Sequence, residues 1–169
     1  MGTQTVRTNQ FNWGPAEIEF GGNVLGATKG GVTVTITTDW QNITVDAYGS
    51  APLDAFEKGT SITVVCRLAE SDRFETLMDA LPAGTRSGRT LQFGRTAGVT
   101  TPTKKKLIVK PVESGGRWLT VYNAAATAEP ITLEYNNEDI RLLEVTFNGF
   151  IDTTRNDGDR LFNIGGPFS

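Results

Sequence analysis

The stretch GGVTVTITTDWQNITVDAYGSAPLDAF occupies residues 30–56 and decides the fold. Residues 32–38 alternate aliphatic residues with threonine, and residues 43–48 resume an alternation after a polar interruption. A period of two is typical of strands with one buried and one exposed face, so we predict a strand in each segment. The two faces of the first strand are Val32, Val34 and Ile36 against Thr33, Thr35 and Thr37. Its exposed face would therefore carry small uncharged hydroxyls instead of the usual Lys, Glu or Arg.

Strand patterns continue along the rest of the chain and indicate a mainly β fold. We predict a β-sandwich or barrel of about seven to eight strands with one flanking α-helix, in a single domain of residues 1–169. The helix is SDRFETLMDALP, residues 71–82, whose apolar residues share one stripe. The further predicted strands are AEIEF (16–20), SITVVCRLAE (61–70), LIVKPVE (107–113), RWLTVY (117–122), ITLEY (131–135) and LLEVTFNGFID (142–152). Three irregular segments complete the prediction: an N-terminal arm (1–15), a long basic loop (84–106) and a C-terminal arm (153–169).

The composition removes most catalytic chemistry. The 169 residues include no histidine and one cysteine, Cys66, so histidine-dependent triads and zinc sites are impossible. We predict no enzyme activity, no catalytic residue, no cofactor and no metal. Carboxylate-based glycoside hydrolysis is the remaining enzymatic alternative, but nothing marks its candidates as paired. Those candidates are Asp46, Asp54, Glu57 and Glu70.

Charge and hydropathy limit the partners. The net charge of −3 argues against avid, non-specific nucleic-acid binding. No stretch approaches 18 uninterrupted apolar residues, and the first residues carry no apolar signal segment, so no membrane partner is expected.

Opposite charges are concentrated in two different parts of the chain. The loop at 84–106 contains six basic and no acidic residues, while residues 129–159 are strongly acidic. The loop is open to three interpretations: a solvated loop, a DNA-binding segment, or a contact that pairs with the acidic segment of another copy. We favour the third, because head-to-tail contacts generate rings or open-ended stacks. The predicted interface residues are Arg86, Arg89, Arg95, Lys104, Lys105, Lys106, Glu138, Asp139, Asp157, Asp159, Phe162 and Ile164.

Three segments in this order resemble one protein family. They are EIEFGGNVLGATKGGVTVTITTDWQNITVDAYGSAPLDAFEKGTSITVVCRLAES (17–71), the helix SDRFETLMDALP, and LEVTFNGFIDTTRNDGDRLFNIGG (143–166). Together they resemble the tail tube proteins, or major tail proteins, of long-tailed bacteriophages. The resemblance implies a β-sandwich or barrel flanked by a helix that closes into hexameric rings, and rings that stack into a hollow virion tube.

The same resemblance implies partners and a location. The expected partners are further copies of the chain, the tape measure protein that fills the tube, and the tail terminator and distal tail or baseplate proteins. Double-stranded DNA would pass through transiently without specific binding. The protein would be made and assembled in the host bacterial cytoplasm and reside in the phage tail.

The hydroxyl pattern acquires a purpose in such a tube, because a conduit for DNA should not hold its phosphates. We predict that the lumen is lined by Thr33, Thr35, Thr37, Thr44 and Asp46. The core would be filled by Val32, Val34, Ile36, Ile43 and Val45. The alternatives are another β-rich virion protein, such as a tail terminator or a decoration protein, and a carbohydrate-binding or hydrolytic β-module.

Overall fold

The computed structural model describes residues 15–26, 28–69, 74–81, 83–94, 101–112, 116–127, 132–133 and 142–166. The predicted mainly β class is confirmed, with one α-helix among these residues. The elements are β1 (Ala16–Phe20), β2 (Asn23–Val24), β3 (Thr28–Thr44), β4 (Pro52–Leu68), α1 (Phe74–Ala80), β5 (Thr85–Ser87), β6 (Thr90–Gln92), β7 (Lys105–Pro111), β8 (Trp118–Ala125), β9 (Thr132–Leu133), β10 (Leu143–Phe150) and β11 (Phe162–Gly165). No helix in the described ranges is both long and apolar enough to cross a bilayer.

Nine of these strands form one antiparallel sheet that curls on itself. Its order is β2-β1-β7-β8-β10-β4-β3, with β11 added to β8 and β9 added to β10. In a flat sheet, β1 and β10 would stand about 14 Å apart, three strand spacings. The rings of Phe20 on β1 and Phe147 on β10 instead meet with their centroids 4.8 Å apart. At the start of β3, Thr28 donates its hydroxyl to the Ala16 carbonyl of β1 at 3.3 Å. The curled sheet therefore resembles a barrel more closely than two separate packed layers.

The core fills the inside of this curl. Along β4 every second residue from Ile62 to Leu68 is buried, because alternate side chains of a strand point to opposite faces. Cys66 is completely buried, and burial raises the pKa of its thiol to about 12. The other strands contribute Ile18, Phe20, Leu107, Val109, Leu119, Val121, Leu143, Val145 and Phe147.

The helix α1 packs against the barrel. Thr76 is buried and donates its hydroxyl to the Leu25 carbonyl at 3.3 Å, which satisfies a polar group inside the protein. Ala80 is buried in the core, and Asp79 forms an ion pair with Lys105 at the start of β7. The predicted start of the helix at residues 71–73 lies outside the described residues.

The segments predicted as irregular contain more strand than expected. Residues 85–92 form the small hairpin β5–β6, closed by Gly88 and Arg89 with Gly88 at a φ of 60°, a conformation that glycine adopts without strain. Lys105 and Lys106 already belong to β7. The predicted long loop at 84–106 is therefore wrong in its extent, because local strand pairing satisfies backbone groups that a bare loop would leave to water.

The predicted C-terminal arm at 153–169 is also wrong in part. Phe162–Gly165 forms β11, which pairs with the first half of β8. β10 pairs with β8 only from Asn123 onward, so the two strands occupy successive parts of β8. Residues 1–14 of the predicted N-terminal arm and residues 167–169 lie outside the described residues. Eleven strands among the described residues replace the predicted seven or eight, since the short strands β2, β5, β6 and β11 had no clear alternation.

Candidate assembly surface

The hairpin of β3 and β4 extends beyond the core. Each strand has 17 residues, and every residue from Asp39 to Gly59 is exposed on both faces. We call this segment, residues 39–59, the ribbon. Its paired strands add about 20 Å to the hairpin at a rise of about 3.3 Å per residue. A 3-10 turn, Asp46–Tyr48, forms its tip.

Both edges of the ribbon lack a neighbouring strand. β10 pairs with β4 only between Thr63 and Leu68 and then turns to pair with β8. β3 ends the sheet, and in the described parts of the chain no strand pairs with its outer edge between Val32 and Thr44. Free strand edges pair readily with other strands, so a monomer carries two long open edges.

A surface of hydroxyls covers the outer face of the hairpin below the ribbon. Thr33, Thr35 and Thr37 are exposed on β3, and Thr35 and Thr37 pair across the sheet with Thr63 and Ser61 of β4. We call these five residues the hydroxyl face. Thr63 donates to Asn148 Oδ1 at 3.3 Å, which extends the uncharged surface onto β10. At one end this face is bordered by Arg67 of β4, which is ion-paired with Glu144 of β10 at 2.6 Å.

The opposite face of β3 is apolar but only partly covered. Val32 packs against the core, whereas Val34 is 38% exposed, Ile36 43% and Trp40 59%. The prediction that Val34 and Ile36 fill the core is therefore wrong for the single chain, because the hairpin leaves the barrel at this level. These side chains form an apolar row that leads into the ribbon.

Two predicted lumen residues do not lie with the other three. β3 is one continuous strand from Thr28 to Thr44, not two strands. Strand alternation therefore places Thr44 on the face opposite Thr33, Thr35 and Thr37. Asp46 lies in the 3-10 turn at the tip, and Ile43 and Val45 are exposed instead of buried. An extra residue in β4, Lys58, absorbs the register shift beside Trp40, so β3 continues through the polar interruption.

A tight loop borders the base of the ribbon. It consists of residues 152–160, and we call it the clasp. Arg155 lies with its guanidinium 3.7 Å from the Tyr122 ring centroid and donates to Asp159 Oδ2 at 2.6 Å, while Tyr122 donates its hydroxyl to Asp159. The Asp152 carboxylate accepts the Thr154 amide at 3.0 Å and its hydroxyl at 2.7 Å. These bonds fix the clasp on β8.

The ionisation of the clasp follows from these bonds. The hydroxyl of Thr154, then its amide, hold the pKa of Asp152 below its usual range. The hydrogen bonds from Tyr122 and then Arg155 do the same for the pKa of Asp159. Burial, followed by the bond to Asp159, raises the pKa of Tyr122.

We expect the clasp to loosen in acid. Because both carboxyl pKa values are lowered on folding, their stabilisation is complete above the unfolded value of about 3.9 and is lost as the pH falls through the folded values. Amide hydrogen-exchange protection at Thr154, measured from pH 6 to pH 2.5, should fall while protection in β4 persists. Asp159→Asn should weaken the protection already at pH 6. Asp157→Asn should leave the acid profile unchanged, because the Asp157 carboxylate is 95% exposed and its 3.5 Å ion pair with Arg160 is a surface contact of little energy. An identical profile in Asp159→Asn would contradict this account.

A cleft of about 440 Å³ lies between the clasp and the free edge of β4. Glu57 and Thr60 form its β4 wall, where Thr60 donates to Glu57 Oε1 at 2.6 Å. The other wall consists of Ile151, Asp157, Gly158, Arg160, Leu161 and Phe162. Apolar side chains and a few charged groups therefore line one concave surface. Sequence reasoning missed this cleft, because its walls come from segments about ninety positions apart.

Eight of the twelve predicted interface residues have described side chains, and contacts within the chain engage some of them. Lys105 is engaged by Asp79, Lys104 lies with its ammonium 4.8 Å from the Phe150 ring centroid, and Asp159 belongs to the clasp. Internal contacts therefore occupy these three groups. Arg89, Lys106, Asp157 and Ile164 are exposed, and Phe162 is half-buried at the cleft. Arg95, Glu138, Asp139 and the side chain of Arg86 lie outside the described residues.

Comparisons with known proteins do not add a family. No protein-family model matches the chain, and no curated protein matches it significantly. Within the described ranges, no three His, Cys, Asp or Glu side chains cluster as a metal site. The carboxylates Asp46, Asp54 and Glu57 are all exposed on the ribbon, and Glu70 lies outside the described residues. The candidate functional surfaces are therefore the ribbon, the hydroxyl face and the cleft.

Proposed function

We propose that the protein is a structural subunit of a bacteriophage tail tube, which assembles head to tail into rings that stack into a hollow conduit for DNA. The observation that carries the proposal is the β3–β4 hairpin, with two open edges and an uncharged hydroxyl face. The three sequence segments that resemble tail tube proteins support the same conclusion. The resemblance also supplies the expected ring size of six copies.

The two open edges complement each other in a ring. In a rotationally symmetric ring all copies have the same orientation, so β3 of one copy can lie antiparallel to β4 of the next. The outer edge of β3 and the edge of β4 from Pro52 to Ile62 would then pair, and each copy would use a different edge towards each neighbour. Such heterologous contacts close into rings without changing the fold of the subunit.

Energetics favour this pairing. A two-stranded hairpin without a core is only marginally stable in water, and the exposed ribbon is such a hairpin. Pairing both edges would satisfy its free backbone groups and cover apolar side chains such as Phe56 and Trp40. The ribbon is therefore a feature that assembly explains and a monomer does not.

The hydroxyl face suits the inner wall. It lies on the hairpin face opposite the barrel core, so a ring closed through the hairpins would turn Thr33, Thr35 and Thr37 towards the axis. The hydroxyls offer phosphates no cation, and Arg67, which borders them on the same face of β4, is already paired with Glu144, so little counterion release would hold DNA to this wall. The tape measure protein, the tail terminator and the distal tail or baseplate proteins are the further partners in this proposal, and the phage tail is its location.

Electron microscopy of the purified full chain tests the proposal. We expect long tubes with a central channel once the protein concentration exceeds a threshold, and sedimentation should show the same threshold. Single closed rings that never stack would favour a tail terminator instead. A monomer at every concentration, including in the presence of preformed tube ends, would overturn the proposal.

A further inference from the structure

The cleft lies where an added strand would run. β10 pairs with β4 as far as Thr63 and then leaves it, and the cleft begins beyond that point along the same edge of β4. A strand that joins this edge antiparallel to β4 would continue in line with β10. It would lie beside β4 in the plane of the sheet, so that the side chains on one of its faces point towards the cleft that Glu57 and Thr60 line.

If the added strand is β3 of another copy, the large side chain that it brings to the cleft is Trp40. It is 59% exposed and pairs with Glu57 across its own hairpin, which places both on the same face as Thr60. Within its own chain, Trp40 stands on the opposite side of β4 from the cleft and does not line it. A copy therefore cannot fill its own cleft with its own indole.

We propose that the cleft of one copy binds the Trp40 side chain of the neighbouring copy and so forms the anchor of the subunit contact. This inference rests on the proposed ring, in which β3 of one copy joins β4 of the next. Alternation along the incoming β3 turns Val34, Ile36 and Trp40 to the face on which Glu57 and Thr60 stand. The apolar wall of Ile151, Leu161 and Phe162 then covers the indole, the kind of pocket that tryptophan anchors prefer at interfaces.

The polar groups of the cleft match the indole. A buried indole N–H needs an acceptor, and the Glu57 carboxylate has an oxygen besides the one that Thr60 occupies. Arg160 lies on the opposite wall, where its guanidinium can stack on the ring face. The clasp holds that wall in place, which gives the network of Tyr122, Arg155 and Asp159 a role in assembly.

Disulfide trapping tests the contact directly. We use Asn42→Cys, two residues from Trp40 on the same face of β3, and Asp157→Cys on the rim of the cleft. Mixed in equal amounts under assembly conditions and oxidised, the two variants should form covalent heterodimers. The native Cys66 does not interfere, because it is buried with its pKa raised to about 12. Asn42→Cys mixed with Arg89→Cys is the matched control and should yield at least tenfold less heterodimer.

Trp40→Ala gives an independent readout. Because the side chain is exposed in the monomer, the thermal midpoint should stay close to that of the wild type, while the critical concentration for assembly should rise at least tenfold. Trp40→Phe should recover part of the assembly. Val112→Ser, which removes a similarly exposed apolar side chain far from the ribbon, should have no effect.

The outcomes separate this inference from the proposed function. If the wild type forms tubes and Trp40→Ala assembles at the same critical concentration, the Trp40 anchor is overturned and the tube is not. The same holds if the wild type forms tubes and the cysteine pair yields no more heterodimer than its control. Efficient cross-linking of Asp157→Cys with Tyr48→Cys, and not with Asn42→Cys, would assign the cleft to the ribbon tip and also overturn the Trp40 anchor. Failure of the wild type to assemble overturns both.

Discussion

Removal of the ribbon should abolish assembly and leave the barrel folded. In this variant residues 39–59 are replaced by Asn-Gly, which joins the cross-strand partners Thr38 and Thr60 through a two-residue turn. All deleted residues are exposed, and the core residues from Ile62 to Leu68 remain in place. The deletion removes most of the open edge of β4, nearly half of the open edge of β3, and Trp40. No tube should therefore be detectable at concentrations at which the wild type is fully polymerised.

The measurement has two parts, stability and polymerisation. The thermal midpoint should change by no more than about 4 °C, as expected for a change near 1 kcal/mol in a chain of this size. Val112→Ser is the control for exposed apolar surface outside the hairpin, and it should polymerise as the wild type does. Tubes formed by the shortened protein would show that subunits contact each other through another surface.

The core strands could be predicted from the sequence because their signal is local. The near-continuous apolar centre of residues 61–70 predicted a strand covered on both sides. One side is covered, since Ile62, Val64, Cys66 and Leu68 are buried along β4, whereas the other side is only half-buried or exposed. The hydroxyl alternation of β3 was equally visible. The closure of the sheet could not be predicted from the sequence, because it depends on contacts between residues distant in sequence, such as Phe20 and Phe147.

The errors have physical causes of the same kind. The polar segment around Asp39 was interpreted as a break between two strands, but the bulge at Lys58 lies on the partner strand and lets β3 continue. Because β3 is continuous, Thr44 lies on the face opposite Thr33, Thr35 and Thr37, and not on the same face as predicted. The charged loop was interpreted as an external contact, yet Lys105 has an internal partner in Asp79 on a helix 26 positions away. The charge of a side chain does not predict whether its ion-pair partner lies within the same chain or in another copy.

A single lysine on the hydroxyl face should impede DNA passage. Thr35 is exposed at the centre of this face, paired with Thr63, so Thr35→Lys should fold and assemble. In a closed ring it would place one cation per copy on the inner wall. Each lysine that neutralises a phosphate releases counterions and adds about 0.9 to the slope of log affinity against log salt on duplex DNA. In the proposed ring of six copies, repeated along a tube, these lysines would hold the DNA strongly at low salt.

The rate of DNA release from virions that carry the variant measures this effect. We expect release at about 50 mM salt to slow at least tenfold in Thr35→Lys and to recover as the salt rises towards about 0.5 M, because counterion release drives the binding. Thr35→Ser keeps the hydroxyl and should release DNA at the wild-type rate. Val112→Lys adds the same charge outside the hydroxyl face and should also have no effect. Equal slowing in Val112→Lys, or an unchanged rate in Thr35→Lys, would place the hydroxyl face away from the bore and require a different wall for the channel.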